Sequence, residues 1–193
     1  MLFCANCAVK NCAKKLGEEK KYPGTCPTLR DEIQEFVKEY EDPETRFLAH
    51  CSSISSAMDH NESRFEQTVR FARECGFKKL GLAFCISLET EACICANLLR
   101  KEGFEVESVI CKVGHYDRKI VDVDDPRRKP MCNPVAQAEY LNQAGTEFNV
   151  VIGLCVGHDT LFVKYSKAPV TILVAKDHRY HNCPAKYFED HIE

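Results

Sequence analysis

The chain has 193 residues, enough for a full core, and an ordinary apolar content of 45%. Its formal charge of −3 argues against a nucleic-acid-binding protein, which would show a basic face or stripe. The thirteen cysteines are the unusual feature. The start, Met1-Leu2-Phe3-Cys4-Ala5-Asn6, lacks the charged and apolar regions of a signal peptide, and no apolar run reaches the length of a membrane span. An odd cysteine count without export is expected of a reduced, cytoplasmic protein whose thiols bind metal, react or pack.

The first element is a quartet, Cys4-x2-Cys7-x4-Cys12-x13-Cys26, among lysines at 10, 14, 15, 20 and 21. Such a segment has little apolar surface to hold it. Four thiolates suit a tetrahedral zinc ion or an iron–sulfur cube, and Cys26-Pro27 is compatible with the latter. Thr28-Leu29-Arg30-Asp31 then predicts an N-terminal helix cap, and Leu29, Ile33, Phe36, Val37 and Tyr40 share one helical face. Asp42-Pro43 breaks that helix. Residues 44–58 are expected to be helical again, with Phe47, Leu48, Cys51, Ile54 and Met58 apolar. Asn61 is expected to cap a third helix carrying Phe65, Val69 and Ala72, which Gly76 ends.

From Lys79 strands and helices alternate. Lys79 to Cys85 reads as a buried parallel strand. A helix with Leu88, Ala92, Cys95 and Leu99 on one face follows, closed by Gly103. Val106 to Cys111 is the second strand. Asn133-Pro134 opens a helix, with asparagine as cap and proline in the first turn. Val150 to Val156 is the third strand, about Asp159 to Lys167 a helix, and Pro169 to Ala175 the fourth strand. The fold class is α/β: an open, mainly parallel sheet of about four strands with flanking helices, Rossmann-like or flavodoxin-like. It is preceded by the Cys4 metal loop and two or three helices. The expected division is a loop at 1–27, a helical segment at 28–76 and an α/β domain at 77–193, with 28–193 as one compact unit. Lys112 to Cys132 is about twenty residues, long for an α/β connection, and reads as a lid, a binding loop or a solvated stretch. The basic run Arg127-Arg128-Lys129 within it follows Asp122, Asp124 and Asp125, so its local charge is near neutral.

Open parallel sheets bind ligands at the carboxyl ends of their strands. Cys85, Cys111 and Cys155 end the first three strands, and Cys132 precedes a helix that starts at the same edge. Four thiols from separate segments are thus expected at one crevice, as a cofactor-binding set beside the quartet; the plainer reading makes each a small buried hydrophobe. In Cys155-Val156-Gly157-His158-Asp159 the glycine is expected to permit a tight bend and Asp159 to cap the helix. His158 is a candidate ligand or proton carrier. Lys112 is placed to lower a neighbouring thiol's pKa. Lys176, Asp177, His178, His181 and Asn182 form a polar cluster past the last strand. Cys51, Cys75 and Cys95 fit core positions, while Cys93 and Cys95 point to different helix faces. There is no GxGxxG turn and no Walker A sequence, and the Cys155 turn has no arginine for a phosphatase-like anion loop. Cys4-x2-Cys7 is not set between a strand and a helix, as a thioredoxin-type pair would be.

These stretches resemble a family of cysteine-rich proteins of anaerobic microbes, a domain of unknown function whose metal binding is itself inferred. The similarity runs through Cys4-Ala5-Asn6-Cys7 with Cys12, Cys26-Pro27-Thr28, Gly81-Leu82-Ala83-Phe84-Cys85, Cys111-Lys112-Val113-Gly114 and Met131-Cys132-Asn133-Pro134. It continues in Gly153-Leu154-Cys155-Val156-Gly157-His158-Asp159 and Lys176-Asp177. The tail departs from it, with Tyr180-His181-Asn182-Cys183-Pro184 in place of a Gly-His-Asn-Pro run. The resemblance implies metal binding and no particular reaction.

The reading is therefore a metal-binding protein. A 4Fe–4S cluster on Cys4, Cys7, Cys12 and Cys26 is favoured, with a second thiolate-rich site on Cys85, Cys111, Cys132 and Cys155 and a redox or sulfur-chemistry role. Zinc in a structural Cys4 site is the first alternative. A thiol enzyme using Cys155, with His158 and Lys112 handling protons, is the second; whether the protein is an enzyme is left open. The partners this implies are a small-molecule or anionic substrate or a redox protein, and neither nucleic acid nor a membrane.

Overall fold

Short apolar runs alternating with amphipathic helices become a four-stranded sheet in the order β2-β1-β3-β4, every neighbouring pair parallel. The coordinates are a computed structural model and describe residues 2–56 and 61–192. The chain packs as two compact units, residues 1–53 and 54–193.

The first unit begins with 3-10 turns at Cys4–Asn6, Asn11–Ala13 and Pro27–Leu29. Helix α1 (Glu32–Val37) continues as a 3-10 turn, Lys38–Glu41. Thr28 does not cap it. Pro27, with its fixed φ, starts a separate 3-10 turn that absorbs Thr28, and the N-cap position falls to Asp31, which makes no side-chain cap bond. The apolar stripe is present but faces outward: Leu29, Phe36, Val37 and Tyr40 are 53–65% exposed. Helix α2 (Pro43–Ser56) starts with proline in its first turn, and the Asp42 carboxylate accepts the Thr45 N–H at 2.8 Å. It runs across the division between the units. The helical expectation for Met58 lies outside the described residues.

The second unit opens with α3 (Arg64–Glu74). Its cap is Ser63 rather than Asn61, because Ser63 and Glu66 form a capping box that satisfies two backbone donors at once. Gly76, at φ +70°, ends it as expected. Then follow β1 (Lys79–Phe84), α4 (Glu89–Lys101), β2 (Glu105–Ile110), α5 (Pro134–Ala144), β3 (Phe148–Ile152), α6 (Val156–Tyr165), β4 (Val170–Val174) and α7 (Ala185–Glu189). Side-chain alternation along the strands divides the core between two faces. Leu80, Leu82, Val150 and Ile152 pack with Val69 and Ala72 of α3 and with Ala92 and Leu99 of α4. Ala83 and Val151 face Ala138 and Leu141 of α5 and Phe162 of α6. Helices thus cover both faces of an open parallel sheet, as the α/β class requires. Cys75 and Cys95 are buried in this unit and Cys51 in the first, while Cys93 is exposed.

The third strand ends earlier than its sequence implies. β3 ends at Ile152, where the Gly153 N–H donates to Val174 O at 2.8 Å and the chain turns at φ +61°. The tight bend therefore belongs to Gly153 and not to Gly157, which lies inside α6. That helix starts at Val156, so His158 and Asp159 occupy its first turn and Asp159 is not the cap.

Candidate metal centre at the carboxyl edge of the sheet

Strand order places the topological switch between β1 and β3: α4 leaves β1 toward one face and α6 leaves β3 toward the other. Cys85 sits at that crevice, its N–H donating to Ile152 O of β3 at 3.0 Å. Cys111 follows β2, with its N–H on Phe84 O at 2.9 Å. The long 112–132 connection is closed on itself: Met131 N–H donates to Tyr116 O at 2.8 Å, and Asn133 N–H to Cys111 O at 2.7 Å. That last bond returns Cys132 to the side of Cys111. Asn133 also caps α5, accepting Ala136 N–H at 3.0 Å. Cys155 is the N-cap residue of α6, beyond the strand rather than at its last position.

The thiols form a row. Buried Cys111 lies between Cys85 and Cys132, and Ile86 N–H donates to its sulfur at 3.4 Å. Cys85 shares a bond with Ser87 Oγ at 3.3 Å, and Lys176 Nζ reaches that same hydroxyl. At the other end Lys112 Nζ donates to Cys132 Sγ at 3.3 Å and to Pro130 O at 2.7 Å, while His158 lies beside Cys132.

The electrostatics follow from this row. Cys111, between two sulfurs, keeps its proton and its pKa rises, while Cys85 and Cys132 are held well below the usual thiol range chiefly by the neighbouring Cys111 thiol. Ser87 and Lys176 help Cys85; His158 and Lys112 help Cys132. The neighbouring Cys132 pushes His158 up against the opposing effect of burial. Cys155 goes the other way from the thiol-enzyme expectation. Burial pushes it up, and the neighbouring Cys85 and Cys132 push it further, outweighing the opposing charge of Lys176. Lys112 does lower a thiol as expected, at Cys132.

In the first unit Cys4, Cys7 and Cys26 border a cavity of about 220 Å³. Cys12 is carried on its own exposed 3-10 turn. Backbone N–H groups of Lys10 and then Val9 lower the Cys7 pKa. Among the described residues, no three His, Cys, Asp or Glu side chains stand in ligand geometry about one point. By chemistry, each set offers four soft sulfur donors, which fit zinc or iron–sulfur ligation.

Of the polar tail, Lys176 reaches the row. Asp177 instead accepts the Arg179 and Tyr180 N–H groups at 2.8 Å, and Asn182 accepts the Asp177 N–H at 3.2 Å, so both build a turn. Ser87 and Gln137 were not singled out from sequence. Gln137 Nε2 donates to Phe84 O at 3.2 Å and Val109 O at 2.7 Å, tying the ends of β1 and β2 beneath the thiols. A polar residue on the buried face of α5, four after the cap Asn133, was the available signal; Ser87 had none.

No helix among the described residues is long and apolar enough to cross a membrane. No solved structure matches the chain. An uncharacterized protein, MJ0455, of Methanocaldococcus jannaschii is 43% identical over 152 residues, 77% of this chain and 78% of that protein. A family model matches residues 26–173, a stretch that contains Cys26, Cys85, Cys111, Cys132 and Cys155. With a match of that extent, the chain belongs to the family described as protein of unknown function (DUF1847).

Proposed function

We propose that this protein is a thiolate metalloprotein with two centres. An iron–sulfur cluster sits on Cys4, Cys7, Cys12 and Cys26, and a second metal or cluster site on Cys85, Cys111, Cys132 and Cys155. The observation that carries the reading is the arrival of cysteines from four separate segments at the carboxyl edge of one sheet, with Cys111 between Cys85 and Cys132. Scattered core cysteines would have no reason to meet at the one edge where open sheets bind ligands. When bound, such a centre supplies electron transfer or a Lewis-acidic metal. The chain's own part is to hold thiolates ready: Lys112 donates to Cys132, His158 lies beside it, and Lys176 acts on Cys85 by its charge and through Ser87, at sulfurs that must be deprotonated to ligate.

In the first unit, cysteine-only ligation and the Cys26-Pro27 pair favour a cluster over single zinc. Because Cys51 is the buried position among this unit's described residues, a bound centre would supply the cohesion that packing does not.

The test is anaerobic purification followed by an absorbance spectrum and elemental analysis. Brown protein with iron and acid-labile sulfide is expected; colourless protein with stoichiometric zinc would reject the cluster, and metal-free protein would reject both. A thiol-chemistry reading is favoured by one observation, the placement of Cys132 between Lys112 and His158. Iodoacetamide that selectively labels Cys132 in freshly purified protein would support it. Labelling only after chelation supports the metal reading.

A further inference from the structure

Beside the row of thiols, in the second unit, lies a cavity of about 450 Å³ between the 112–132 connection, α5 and α6. It is within the size range of small-molecule sites, about 300–1,000 Å³. Its walls are apolar: Val121, Val123 and Met131 from the connection, Pro134 and Val135 from α5, and Leu161 from α6. At one side are Cys132 and His158, so the cavity opens directly onto the thiol row. His158 and Leu161 are three residues apart in α6 and share a face, joining the polar and apolar parts of one wall.

At another side is Arg118. Its Nη1 pairs with Asp125 Oδ2 at 3.2 Å, and Arg127 Nε pairs with Asp125 Oδ1 at 2.9 Å. One carboxylate shared by two guanidinium groups leaves a net positive charge. It also fixes Arg118 in place with donors to spare, since a guanidinium has five N–H groups and can bind a carboxylate with two of them. The Asp125 side chain is nearly buried, so this anchor is built into the connection. Such a site matches a molecule with an apolar body and one anionic head.

We infer that this cavity is the substrate site of the sheet-edge centre and takes a small apolar monocarboxylate, its head on Arg118 and its body against Val121, Val135 and Leu161, next to Cys132 and His158. The word substrate rests on the proposed metal centre; the binding of the carboxylate does not. The long connection is then the binding loop that completes the site.

The test uses the full chain as purified anaerobically, titrated with 4-fluorophenylacetate, its neutral amide and 4-fluorophenethylamine, followed by fluorine NMR. The carboxylate is expected to bind at least about tenfold more tightly than either analogue. Arg118→Gln should erase that preference while leaving weak binding of all three. Leu161→Trp, which fills the cavity, should weaken every probe at least about tenfold with metal content unchanged. Val135→Phe serves the same purpose if Leu161→Trp does not fold. Equal binding of the amine, wild-type affinity in both filled variants, or no response to millimolar carboxylate would overturn the inference. Metal is counted on the same samples. Metal-free protein that binds the carboxylate selectively would sink the metal reading and keep the site; metal-loaded protein that ignores it would do the reverse.

Discussion

Two glycines flank Cys155, and the structure assigns them opposite roles. Gly153 turns the chain at φ +61°, and a Cβ there would overlap Leu88 Cδ1 and come within 3.2 Å of Leu88 Cγ. Leu88 is buried at the start of α4, so it has little freedom to swing away. Gly153→Ala therefore incurs about 1–2 kcal/mol for a left-handed backbone and about 1–3 kcal/mol for overpacking, together about 2–5 kcal/mol. Gly157 has ordinary helical geometry, with open space where its Cβ would be. Gly157→Ala should stabilise the chain by roughly 0.5 kcal/mol through backbone entropy. Since the chain has no tryptophan, urea unfolding is followed by far-UV circular dichroism, comparing midpoints at unchanged slope. The same samples report metal content, because a displaced Leu88 also shifts the segment that carries Cys85. If Gly157→Ala proves the more damaging of the two, or Gly153→Ala is neutral, the placement of the bend and of Cys155 is wrong.

Asn149 is fully buried in β3, its Oδ1 accepting from Thr146 Oγ1 and its Nδ2 donating to Ser166 Oγ, both at 2.8 Å. Asn149→Ala should cost about 1–3 kcal/mol in urea unfolding because it removes two buried hydrogen bonds, while Thr146 Oγ1 keeps Leu141 O and Ser166 Oγ keeps Ala168 O; a loss under about 0.5 kcal/mol would contradict the network. Glu147 accepts the Lys78 and Lys79 N–H groups at 2.6 and 2.8 Å, which hold its carboxyl below the usual range. A depressed carboxyl stabilises the fold above its unfolded pKa and loses that contribution as pH falls through the folded one. Glu147→Gln should therefore be less stable than wild type at neutral pH, by under about 1 kcal/mol for so exposed a group, and the gap should close in acid below the carboxylate range. A gap that widens in acid would refute it. In metal-free, reduced protein, iodoacetamide should label Cys132 ahead of Cys155 at neutral pH, with Cys155 catching up as pH rises. The opposite order, read by peptide mass spectrometry, would contradict the assigned electrostatics.

The sheet was legible because its strands are short apolar runs bounded by glycine and polar turns, and because Asn133-Pro134 carries both of its capping signals. With strands in place, the carboxyl-edge rule alone pointed to Cys85, Cys111, Cys132 and Cys155 as residues of one sheet edge. Local turn chemistry was harder. Cys155-Val156-Gly157 and Gly153-Leu154-Cys155 each offer a glycine beside the cysteine, and only the β3–β4 pairing decides which one bends. Thr28 lost its cap to the turn that Pro27 imposes, and Asn61 lost the third helix to a capping box that needed Glu66 as well as Ser63. The apolar stripe of α1 has the helical spacing of a core face yet is exposed, because spacing specifies a face and not what covers it. Ser87, Gln137 and the anchoring of Arg118 by Asp125 depend on contacts far apart in sequence or internal to a loop, where neither periodicity nor motif carries a signal.

The two-centre account is tested most directly by counting iron, zinc and acid-labile sulfide per chain in anaerobically purified wild type, Cys4→Ala and Cys132→Ala. Each variant should lose one centre and retain the other, so that the two losses together account for the wild-type content. A Cys132→Ala protein that keeps the full wild-type complement would contradict a metal centre at the carboxyl edge of the sheet.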